Sequence, residues 1–476
     1  MNSEYNVDVV VIGSGPAGYS SAFRCADLGL NTVLVERYSN VGGVCVNVGC
    51  IPSKAFLHIA KVIREAADLS HQGVFFNSPV IKIEKLRLWK EKKIKSISSN
   101  ISLMAKRRNI EVILGLGKFI TSSSMRIVSE KKISTVYFKY AIIAVGSKSV
   151  KLPYLKYDNP KIWNSTKSLN MEYIPKRLLI IGGGIIGLEM ATVYSAIGSQ
   201  VDIVDSSQVT LPFLDNDIVY TYLKLSKKMF DYKSNTSILN VEDKDSFFIV
   251  KMKNRDGKIY VNKYDNILAA VGRFPSTSEL NLDLIGVKLD NFGFIKVDDQ
   301  QRTNIPHIFA IGDVAGKPML AHKGIYEGHI AAEVISGKNV YFDPKVIPSV
   351  AYTDPEIAWV GITEKEAISK NISYEVSIFP WVASGRAIVS NSSSGLTKLI
   401  FNKVTKKIIG GVIIGNNAGE LLSEITLAIE MGCDAEDIAL TIHAHPTLSE
   451  SICLASQIFQ GTVTDIPNLK SKLETN

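Results

Sequence analysis

Cysteine is scarce in this chain, with five residues among 476. So few thiols in so long a chain exclude a disulfide-stapled scaffold and indicate a reducing compartment. Cys25, Cys433 and Cys453 stand in no motif, and we expect them to be buried, reduced thiols. Cys45 and Cys50 differ, because they lie close together in a glycine-rich segment.

The chain also lacks a leader pattern and an uninterrupted apolar run. Residues 1–8 pass directly into an apolar strand without a basic region, so we predict no signal peptide. The most apolar stretch, residues 178–197, has the length of a membrane span. It contains several glycines and Glu189, however, which favour a nucleotide-binding turn. We therefore expect a cytoplasmic protein with no integral membrane segment.

Concentrated charge is lacking as well. The formal net charge is +8, and the basic residues are scattered apart from one cluster. That cluster comprises Lys85, Arg87, Lys90, Lys92, Lys93 and Lys95. Nucleic-acid binding requires a concentrated basic face with aromatic side chains or a known module. We interpret the cluster as a solvated helix face and predict neither a nucleic-acid partner nor a bound metal.

Two segments share a pattern of strand, glycine-rich turn, helix, strand and acidic residue. The first begins at residues 7–12 and ends at Glu36, and the second begins at residues 177–181 and ends at Asp205. Their turn glycines are Gly13, Gly15 and Gly18 in the first, and Gly182, Gly184 and Gly187 in the second. Glycine-rich turns without a ligand are the alternative, but two complete units argue against it.

This pattern is typical of dinucleotide sites. The first glycine makes a tight turn, the second lets the backbone approach a pyrophosphate, and the third allows close helix–strand packing. The helix N-terminus then faces the phosphates, and the acid suits the ribose hydroxyls. The sequence therefore predicts two bound dinucleotides. Because Ser206 and Ser207, not arginines, follow Asp205, we expect the second site to prefer NAD over NADP.

The cysteine pair follows the first unit. On a helix, the spacing of Cys45 and Cys50 puts one thiol slightly more than a turn from the other, close enough to bridge. A reactive thiolate there needs a lowered pKa, which a helix start or a nearby base can supply. We interpret the pair as a redox-active disulfide against a flavin, with two ordinary core cysteines as the alternative.

Further apolar strands end in small residues at Gly146, at Gly272 and at Gly312. Asp313, next to the last of these, could accept hydrogen bonds from a sugar-like chain. Beyond Pro344 the composition changes to alternating strands and two predicted helices, residues 419–431 and a last one from Ser449. This change indicates a separate C-terminal module.

Together the two units, residues 42–50, the Gly312-Asp313 turn and residues 443–450 resemble the pyridine nucleotide–disulfide oxidoreductases. The motifs stand in the order and spacing of the family over essentially the whole chain. One departure is Val44, where many relatives have threonine before the first cysteine. The resemblance implies an α/β fold with two Rossmann-like dinucleotide-binding domains, for FAD and NAD, and an α+β C-terminal dimerisation domain.

The resemblance also implies domain bounds and cofactor ligands. The domains would be an FAD-binding domain (1–148), an NAD-binding domain (149–272), a central domain completing the FAD site (273–345) and an interface domain (346–476). The FAD ligands would be Gly13, Gly15, Gly18, Glu36, Arg37, Gly43, Val44, Lys54, Gly117, Gly146, Asp313 and Ala321. The NAD ligands would be Gly182, Gly183, Gly184, Ile185, Ile186, Gly187, Glu189, Asp205, Ile238, Ala270, Val271, Gly272 and Arg273. Lys54 would sit near the flavin ring and pair with Glu189.

The implied catalytic residues are the Cys45–Cys50 disulfide, with His445 and its own Glu450 acting across a two-fold dimer interface. Oxidation of a dithiol needs a base for its protons and a disulfide to accept electrons. A carboxylate beside a histidine raises its basicity and fixes its tautomer, and we expect a cis peptide bond before Pro446. His443 is the local competitor, and we interpret it as structural.

The implied activity is oxidation of protein-bound dihydrolipoamide to lipoamide, with reduction of NAD⁺ to NADH. Implied partners are a second copy of the chain, the lipoyl domains and core acyltransferase (E2) of 2-oxo-acid dehydrogenase complexes, and the glycine cleavage H protein. The chain would be the E3 component. Alternatives are a glutathione or mercuric reductase-like enzyme and a flavin-bound redox-sensing scaffold. Asp205 argues against NADP-dependent glutathione reduction, and residues 471–476 lack the cysteine pair expected of a mercuric reductase.

Overall fold

The structure is a computed structural model that describes residues 2–130 and 132–467. The end of the predicted interface domain, including residues 471–476, lies outside the described residues. The helices are α1 (Pro16–Asp27), α2 (Gly43–Val48), α3 (Cys50–Asp68), α4 (Ile83–Arg107), α5 (Ser165–Ser168), α6 (Ile185–Ala196), α7 (Asn216–Ser226), α8 (Ala321–Ile335), α9 (Glu364–Ser369), α10 (Gly385–Val389), α11 (Ala418–Met431), α12 (Ala435–Leu440) and α13 (Glu450–Gln460).

The strands are β1 (Asn2–Ile12), β2 (Thr32–Glu36), β3 (Glu111–Leu114), β4 (Leu116–Thr121), β5 (Ser124–Val128), β6 (Ile133–Ile143), β7 (Ser147–Ser149), β8 (Ile162–Trp163), β9 (Arg177–Ile181), β10 (Gln200–Val204), β11 (Asp231–Lys233), β12 (Thr236–Asp243), β13 (Phe248–Asn254), β14 (Ile259–Tyr264), β15 (Asn266–Ala269), β16 (Arg273–Pro275), β17 (Ile308–Ala310), β18 (Ser349–Ala351), β19 (Glu356–Gly361), β20 (Tyr374–Pro380), β21 (Leu396–Asn402) and β22 (Ile408–Gly415).

The chain divides into two compact units. The first comprises residues 1–56, 79–173 and 269–343, and the second comprises residues 57–78, 174–268 and 344–476. The first unit therefore holds most of the predicted FAD-binding and central domains. The second holds most of the predicted NAD-binding domain together with the interface domain.

The first unit is built on a mixed sheet in the order β3-β2-β1-β6-β5-β4, with β17 also paired to β6. Strands β3, β2, β1, β6 and β17 are parallel where they pair. Residues 9–12 of β1 are apolar and buried on both faces, as a covered parallel sheet requires. Val9 and Val11 pack with Ala22 of α1 and Ala331 of α8, whereas residues 10 and 12 pack on the opposite side.

The second unit contains three sheets. Strands run in the order β11-β10-β9-β15, with β9, β10 and β11 parallel, and β12-β13-β14 form an antiparallel meander. The C-terminal part is an antiparallel sheet in the order β18-β19-β22-β21-β20. Leu422 and Ile425 of α11 and Ile452 of α13 complete its core.

Two helix predictions are confirmed and two local expectations are wrong. Helices α11 and α13 lie where predicted, but α12 was missed. Its N-cap residue is Asp434, whose side chain accepts hydrogen bonds from the N–H groups of Glu436 and Asp437. The expectation of one helix across both cysteines is also wrong, because the helix breaks at Gly49, which has φ −141° and ψ −106°. Cys45 therefore lies on α2 and Cys50 begins α3.

Taken together, the consecutive helical segments over Gly43–Gln72 meet the length and composition criteria of a membrane span, although the helix breaks at Gly49. Core helices of soluble proteins meet the same criteria, so the finding is weak evidence for a membrane protein. This stretch also carries both predicted redox cysteines.

A buried cation joins two parts of the second unit. Lys398 of β21 is fully buried, and its Nζ lies 3.2 Å from Asp215 and 2.8 Å from Asp217. It also pairs with Glu364 at the start of α9. The three carboxylates are close enough together to hold a metal ion, but Lys398 supplies the positive charge among them. This cluster, the Lys398 junction, ties the start of α7 to the C-terminal sheet.

We expect Lys398→Met to lower the free energy of unfolding by about 3 kcal/mol, since removing one partner of a buried ion pair leaves the others uncompensated. Urea unfolding of the full chain followed by circular dichroism checks this. The matched control is Lys370→Met, at an exposed position of α9's C-terminus. Equal free energies of unfolding of Lys398→Met and Lys370→Met would contradict the stabilising role of the Lys398 junction.

Candidate active site

The predicted FAD ligands of the first unit gather at one edge of its sheet. Gly13 follows β1, Glu36 ends β2, Ala144 follows β6, and Gly312 follows β17. Because these strands are parallel neighbours, their carboxyl ends meet at the same edge. Ligands of open α/β sheets bind at this edge.

Three glycines shape the turn after β1. A Cβ at Gly13 (φ +101°) would lie 2.4 Å from Ala144 O, and one at Gly18 would lie 1.8 Å from Gly13 O. Gly15, in contrast, has no heavy atom within 4 Å of where a Cβ would stand. The first and third glycines are thus required by packing, whereas the second leaves the open surface that a pyrophosphate needs beside the start of α1. The turn fits the adenosine diphosphate half of FAD.

Glu36 stabilises this turn through hydrogen bonds inside the protein. It is buried, and its Oε2 accepts hydrogen bonds from the backbone N–H of Ser14 (3.1 Å) and from the Ser14 hydroxyl. Its Oε1 accepts from the N–H of Tyr38 at 2.9 Å. The hydroxyl oxygen of Ser14 in turn accepts from the N–H of Gly42 at 3.1 Å. Glu36 therefore holds the nucleotide turn and, through Ser14, the segment that starts α2.

The cysteine pair stands directly against the turn. Gly43 has φ +60°, and a Cβ there would lie 2.6 Å from the Cα of Gly15. A hydrogen bond to Cys50, then burial and the charge of Cys50, raise the pKa of the Cys45 thiol, while the Lys54 ammonium acts in the opposite direction.

Asp313 belongs to the same edge. Gly312 (φ +73°) approaches α1 so closely that a Cβ would lie 3.1 Å from the Cβ of Ala17. The Ser147 hydroxyl donates to Asp313 Oδ2. Arg273 donates from Nε to Ser147 Oγ at 2.8 Å and from Nη2 to the Ser147 carbonyl at 2.6 Å. Burial lowers the pKa of Arg273, while the charges of Asp313 and Cys50 act to raise it.

Arg273 was predicted as an NAD ligand, together with Ala270, Val271 and Gly272. The structure places all four in the first unit, whereas the second glycine motif lies in the second unit. The guanidinium of Arg273 donates hydrogen bonds to the hydroxyl and the carbonyl of Ser147. Its role toward NAD remains a prediction.

The other predicted FAD ligands differ in their surroundings. Arg37 is exposed and pairs with Glu279 at 2.9 Å, and hydrogen bonds from Lys148 and then Arg37 lower the pKa of Glu279 to about 2. Gly117 of β4 faces Met125, whose Cε would lie 3.0 Å from a Cβ. Gly146 (φ +69°) has open space around it, Ala321 begins α8, and Val44 is exposed.

Three supporting residues of this edge were missed. Ser14 and Ser147 carry the hydrogen bonds described above. Glu327 is buried, pairs with Lys323 at 2.5 Å, and accepts a 2.7 Å hydrogen bond from the N–H of Gly312. The spacing of Lys323 and Glu327 on one helix face was a detectable signal, but nothing in the sequence pointed to Gly312 as their target.

The second unit repeats the turn after β9. A Cβ at Gly187 would lie 2.1 Å from Gly182 O, while Gly184 has no heavy atom within 4 Å. Asp205 accepts from the N–H of Gly183 at 2.7 Å through Oδ2, and from the N–H of Ser207 at 2.7 Å through Oδ1. The open second glycine before α6 fits a second dinucleotide, and the acid braces its turn as in the first unit.

The remaining predicted NAD ligands are placed as follows. Ile185 and Ile186 begin α6, and Glu189 of the same helix is buried and accepts from the N–H of Tyr352 at 3.1 Å. Ile238 lies on β12 of the meander, not on the parallel sheet. Sequence reasoning missed Tyr232, whose Oη would lie 2.5 Å from a Cβ at Gly183.

His445 and Glu450 form a dyad in the second unit. His445 Nδ1 lies 2.8 Å from Glu450 Oε1, and Glu450 Oε2 accepts from the N–H of Thr447 at 2.7 Å. A carboxylate only accepts, so Nδ1 carries the proton and Nε2 presents a lone pair. The imidazole is 79% exposed, and the bond to Pro446 is cis as expected.

His443 has a different environment. Its Nε2 lies 2.6 Å from Glu424 Oε1 on α11, and its Nδ1 lies 2.8 Å from the Thr441 carbonyl. Its side chain is only 8% exposed. With both ring nitrogens occupied, His443 has no lone pair to offer a substrate, whereas His445 does.

Comparison with known families agrees with this arrangement. Residues 7–328 match the pyridine nucleotide-disulphide oxidoreductase model, and residues 347–456 match the dimerisation domain of the same family. The chain belongs to this family. The predicted fold class, with its dimerisation domain, and the FAD and NAD cofactors are thereby confirmed, and the dimerisation domain supports a homodimer.

Curated relatives match over nearly the full length. A dihydrolipoyl dehydrogenase of Buchnera aphidicola from Schizaphis graminum is 59% identical, covering 99% of this chain and 100% of its own. That of Vibrio cholerae is 55% identical over 99% of each chain, and that of Geobacillus stearothermophilus is 39% identical over 96% of each. Among solved structures, LpdA from Mycobacterium tuberculosis has a TM-score of 0.87 at 25% identity, covering 95% of this chain and 100% of its own.

We expect alanine substitutions at the second and the third glycine of the second motif to have different effects on stability and on NADH binding. Gly187→Ala should lower the thermal midpoint even without cofactor, because its Cβ would clash with Gly182 O. Gly184→Ala should leave the fold intact, because no protein atom lies within 4 Å of its Cβ, and should weaken NADH binding, because the methyl group would occupy the open surface where we expect the pyrophosphate. Calorimetry and fluorescence titration with NADH check the pair. A thermally destabilised Gly184→Ala would contradict this distinction.

Proposed function

We propose that this chain is an FAD- and NAD-dependent dihydrolipoyl dehydrogenase, oxidising protein-bound dihydrolipoamide to lipoamide and reducing NAD⁺ to NADH with release of one proton. The observation that carries this proposal is the combination of the cysteine pair against the first nucleotide turn with the exposed His445–Glu450 dyad. Full-length relatives of that name at 55–59% identity support it.

His445 acts as the base. Its Nε2 takes a proton from one thiol of dihydrolipoamide, and Glu450 stabilises the resulting imidazolium through Nδ1. The exposure of the ring suits a group that completes the site of a second subunit in the homodimer.

Cys45 receives the attack. The substrate thiolate forms a bond to Cys45 Sγ while the Cys45–Cys50 bond breaks, leaving the electron pair on Cys50. The second substrate sulfur, after losing its proton, displaces Cys45 and closes the lipoyl ring, so that two electrons pass to the protein. The hydrogen bond to Cys50 and burial raise the pKa of the Cys45 thiol above its ordinary value, which disfavours a thiolate on Cys45 and supports this division of roles.

The first unit would hold FAD through the Gly13–Gly18 turn, Glu36 and Asp313, with Lys54 near the ring. When bound, FAD relays the electron pair between the dithiol and NAD⁺, which side chains alone do not do. Arg273 and Ser147 orient Asp313 for its sugar-like chain. The second unit would hold NAD at the Gly182–Gly187 turn.

The proposed partners are lipoyl domains and the core acyltransferase (E2) of 2-oxo-acid dehydrogenase complexes, and the H protein of glycine cleavage. The proposed location is the bacterial cytoplasm. The lysines of α4 support binding of an acidic lipoyl domain, because Lys85, Lys92 and Lys93 are exposed on one helix.

We expect Cys45→Ser to abolish NAD⁺ reduction by dihydrolipoamide, since no disulfide remains to accept electrons. His445→Gln should lower kcat by about 100- to 10,000-fold, the range attributed to a general base. Both should retain bound FAD, and Cys433→Ser is the control. Steady-state absorbance at the NADH band measures the rates, and normal turnover by either variant would reject the assigned roles.

We expect NAD⁺ to be preferred over NADP⁺, because the Asp205 carboxylate repels a 2′-phosphate. Asp205→Asn should lower the ratio of kcat/KM for NAD⁺ to kcat/KM for NADP⁺ about tenfold, which corresponds to about 1.4 kcal/mol. Asp231→Asn, which removes an exposed carboxylate of β11, is the matched control. The measurement is kcat/KM for both nucleotides, and faster turnover with NADP⁺ by the unmodified protein would refute the prediction.

A further inference from the structure

The His443–Glu424 pair is a built polar contact that the proposed mechanism does not use. Its side-chain distance is 2.6 Å, and His443 is largely buried. Its other ring nitrogen meets the Thr441 carbonyl at 2.8 Å. Each ring nitrogen of His443 therefore faces an oxygen acceptor, the Thr441 carbonyl at one side and the Glu424 carboxylate at the other, and these two contacts fix the orientation of the ring.

The segment around His443 is otherwise exposed in the single chain. Ile442 is 97% exposed, and Ala444, His445 and Pro446 are exposed as well. On its C-terminal side, Glu450 of α13 holds His445 and Thr447. On its N-terminal side, His443 reaches Glu424 of α11. The segment is thus fastened to two different helices, with His445 between the fastening points.

The charges of both carboxylates that hold this segment act on one cysteine of α13. Burial raises the pKa of Cys453, and the charges of Glu424 and Glu450 raise it further. Cys453 lies on α13, with its thiol 3.6 Å from the Ala439 carbonyl of α12. Glu424 engages His443, and Glu450 engages His445.

We propose that His443, through Glu424, is a positioning residue that fixes the direction in which His445 presents Nε2 to the substrate. This inference rests on the proposed function, because it assigns His445 as the base. A largely buried histidine side chain that is hydrogen-bonded to a neighbouring helix, two residues from an exposed ring, restricts the backbone that carries the ring. Misplacement of a reacting group by about 1 Å costs on the order of 100-fold in rate.

The test compares two activities of the full-length holoenzyme. Reduction of NAD⁺ by dihydrolipoamide requires His445, whereas reduction of an artificial dye by NADH does not. His443→Ala and Glu424→Ala should lose about 10- to 100-fold in the first activity and less than about twofold in the second. Ser423→Ala, at an exposed neighbouring position on α11, is the matched control and should match the unmodified protein.

A conservative variant separates positioning from charge. Glu424→Gln should recover most of the dihydrolipoamide activity, because the amide can donate to the Nε2 of a neutral His443 while Nδ1–H still donates to Thr441. Dihydrolipoamide activity of Glu424→Ala within twofold of normal would overturn the proposal. So would equal losses in both activities, or a Glu424→Gln variant as slow as Glu424→Ala.

His445→Gln, measured in parallel, separates the two levels of inference. If His445→Gln is inactive with dihydrolipoamide while Glu424→Ala is normal, only the positioning role fails. If His445→Gln retains normal dihydrolipoamide turnover, the assignment of the base fails and the positioning role fails with it.

Discussion

The close approach of two backbones, at Gly15 and Gly43, governs the first unit. No side chain fits between them, since a Cβ at Gly43 would lie 2.6 Å from the Cα of Gly15. The start of α2, and with it Cys45, is therefore held directly against the open surface of the nucleotide turn. The Glu36 carboxylate stabilises this contact by accepting a buried hydrogen bond from the N–H of Ser14, which contributes roughly 1.5–3 kcal/mol, and the Ser14 hydroxyl in turn accepts from the N–H of Gly42. A reactive sulfur placed elsewhere would lose its access to a bound dinucleotide.

The same physical solution recurs in the second unit. Asp205 accepts hydrogen bonds from Gly183 and Ser207, just as Glu36 accepts from Ser14 and Tyr38. The acid at the end of the second strand thus organises the glycine turn before any cofactor arrives. Since each carboxylate oxygen has further acceptor capacity, a ribose can still bind there. The acid thus has two roles, to hold the glycine turn and to bind a ribose, and this explains why the acid and the glycines occur together in the pattern.

Local sequence patterns predicted the glycine turns and the strands beside them, because short-range sterics and burial of apolar side chains determine these elements. The glycine turns follow from steric limits at Gly13, Gly18 and Gly187, and the strands around them follow from continuous apolar runs. What sequence reasoning missed depends on contacts far along the chain. Ser147 meets Arg273, Glu327 meets Gly312, and Lys398 meets Asp215 only once the sheets have assembled. The break at Gly49 and the short helix α12 are local, but they compete with stronger helical signals on either side.

The Lys398 junction has a consequence for how the chain matures. Asp215 and Asp217 leave the ribosome long before Lys398 is synthesised, yet they find their counter-charge only in β21. Until Lys398 is in place, the carboxylates of Asp215 and Asp217 at the start of α7 lack this cation and repel each other. Only a chain synthesised beyond Lys398 of β21 can therefore form the Lys398 junction.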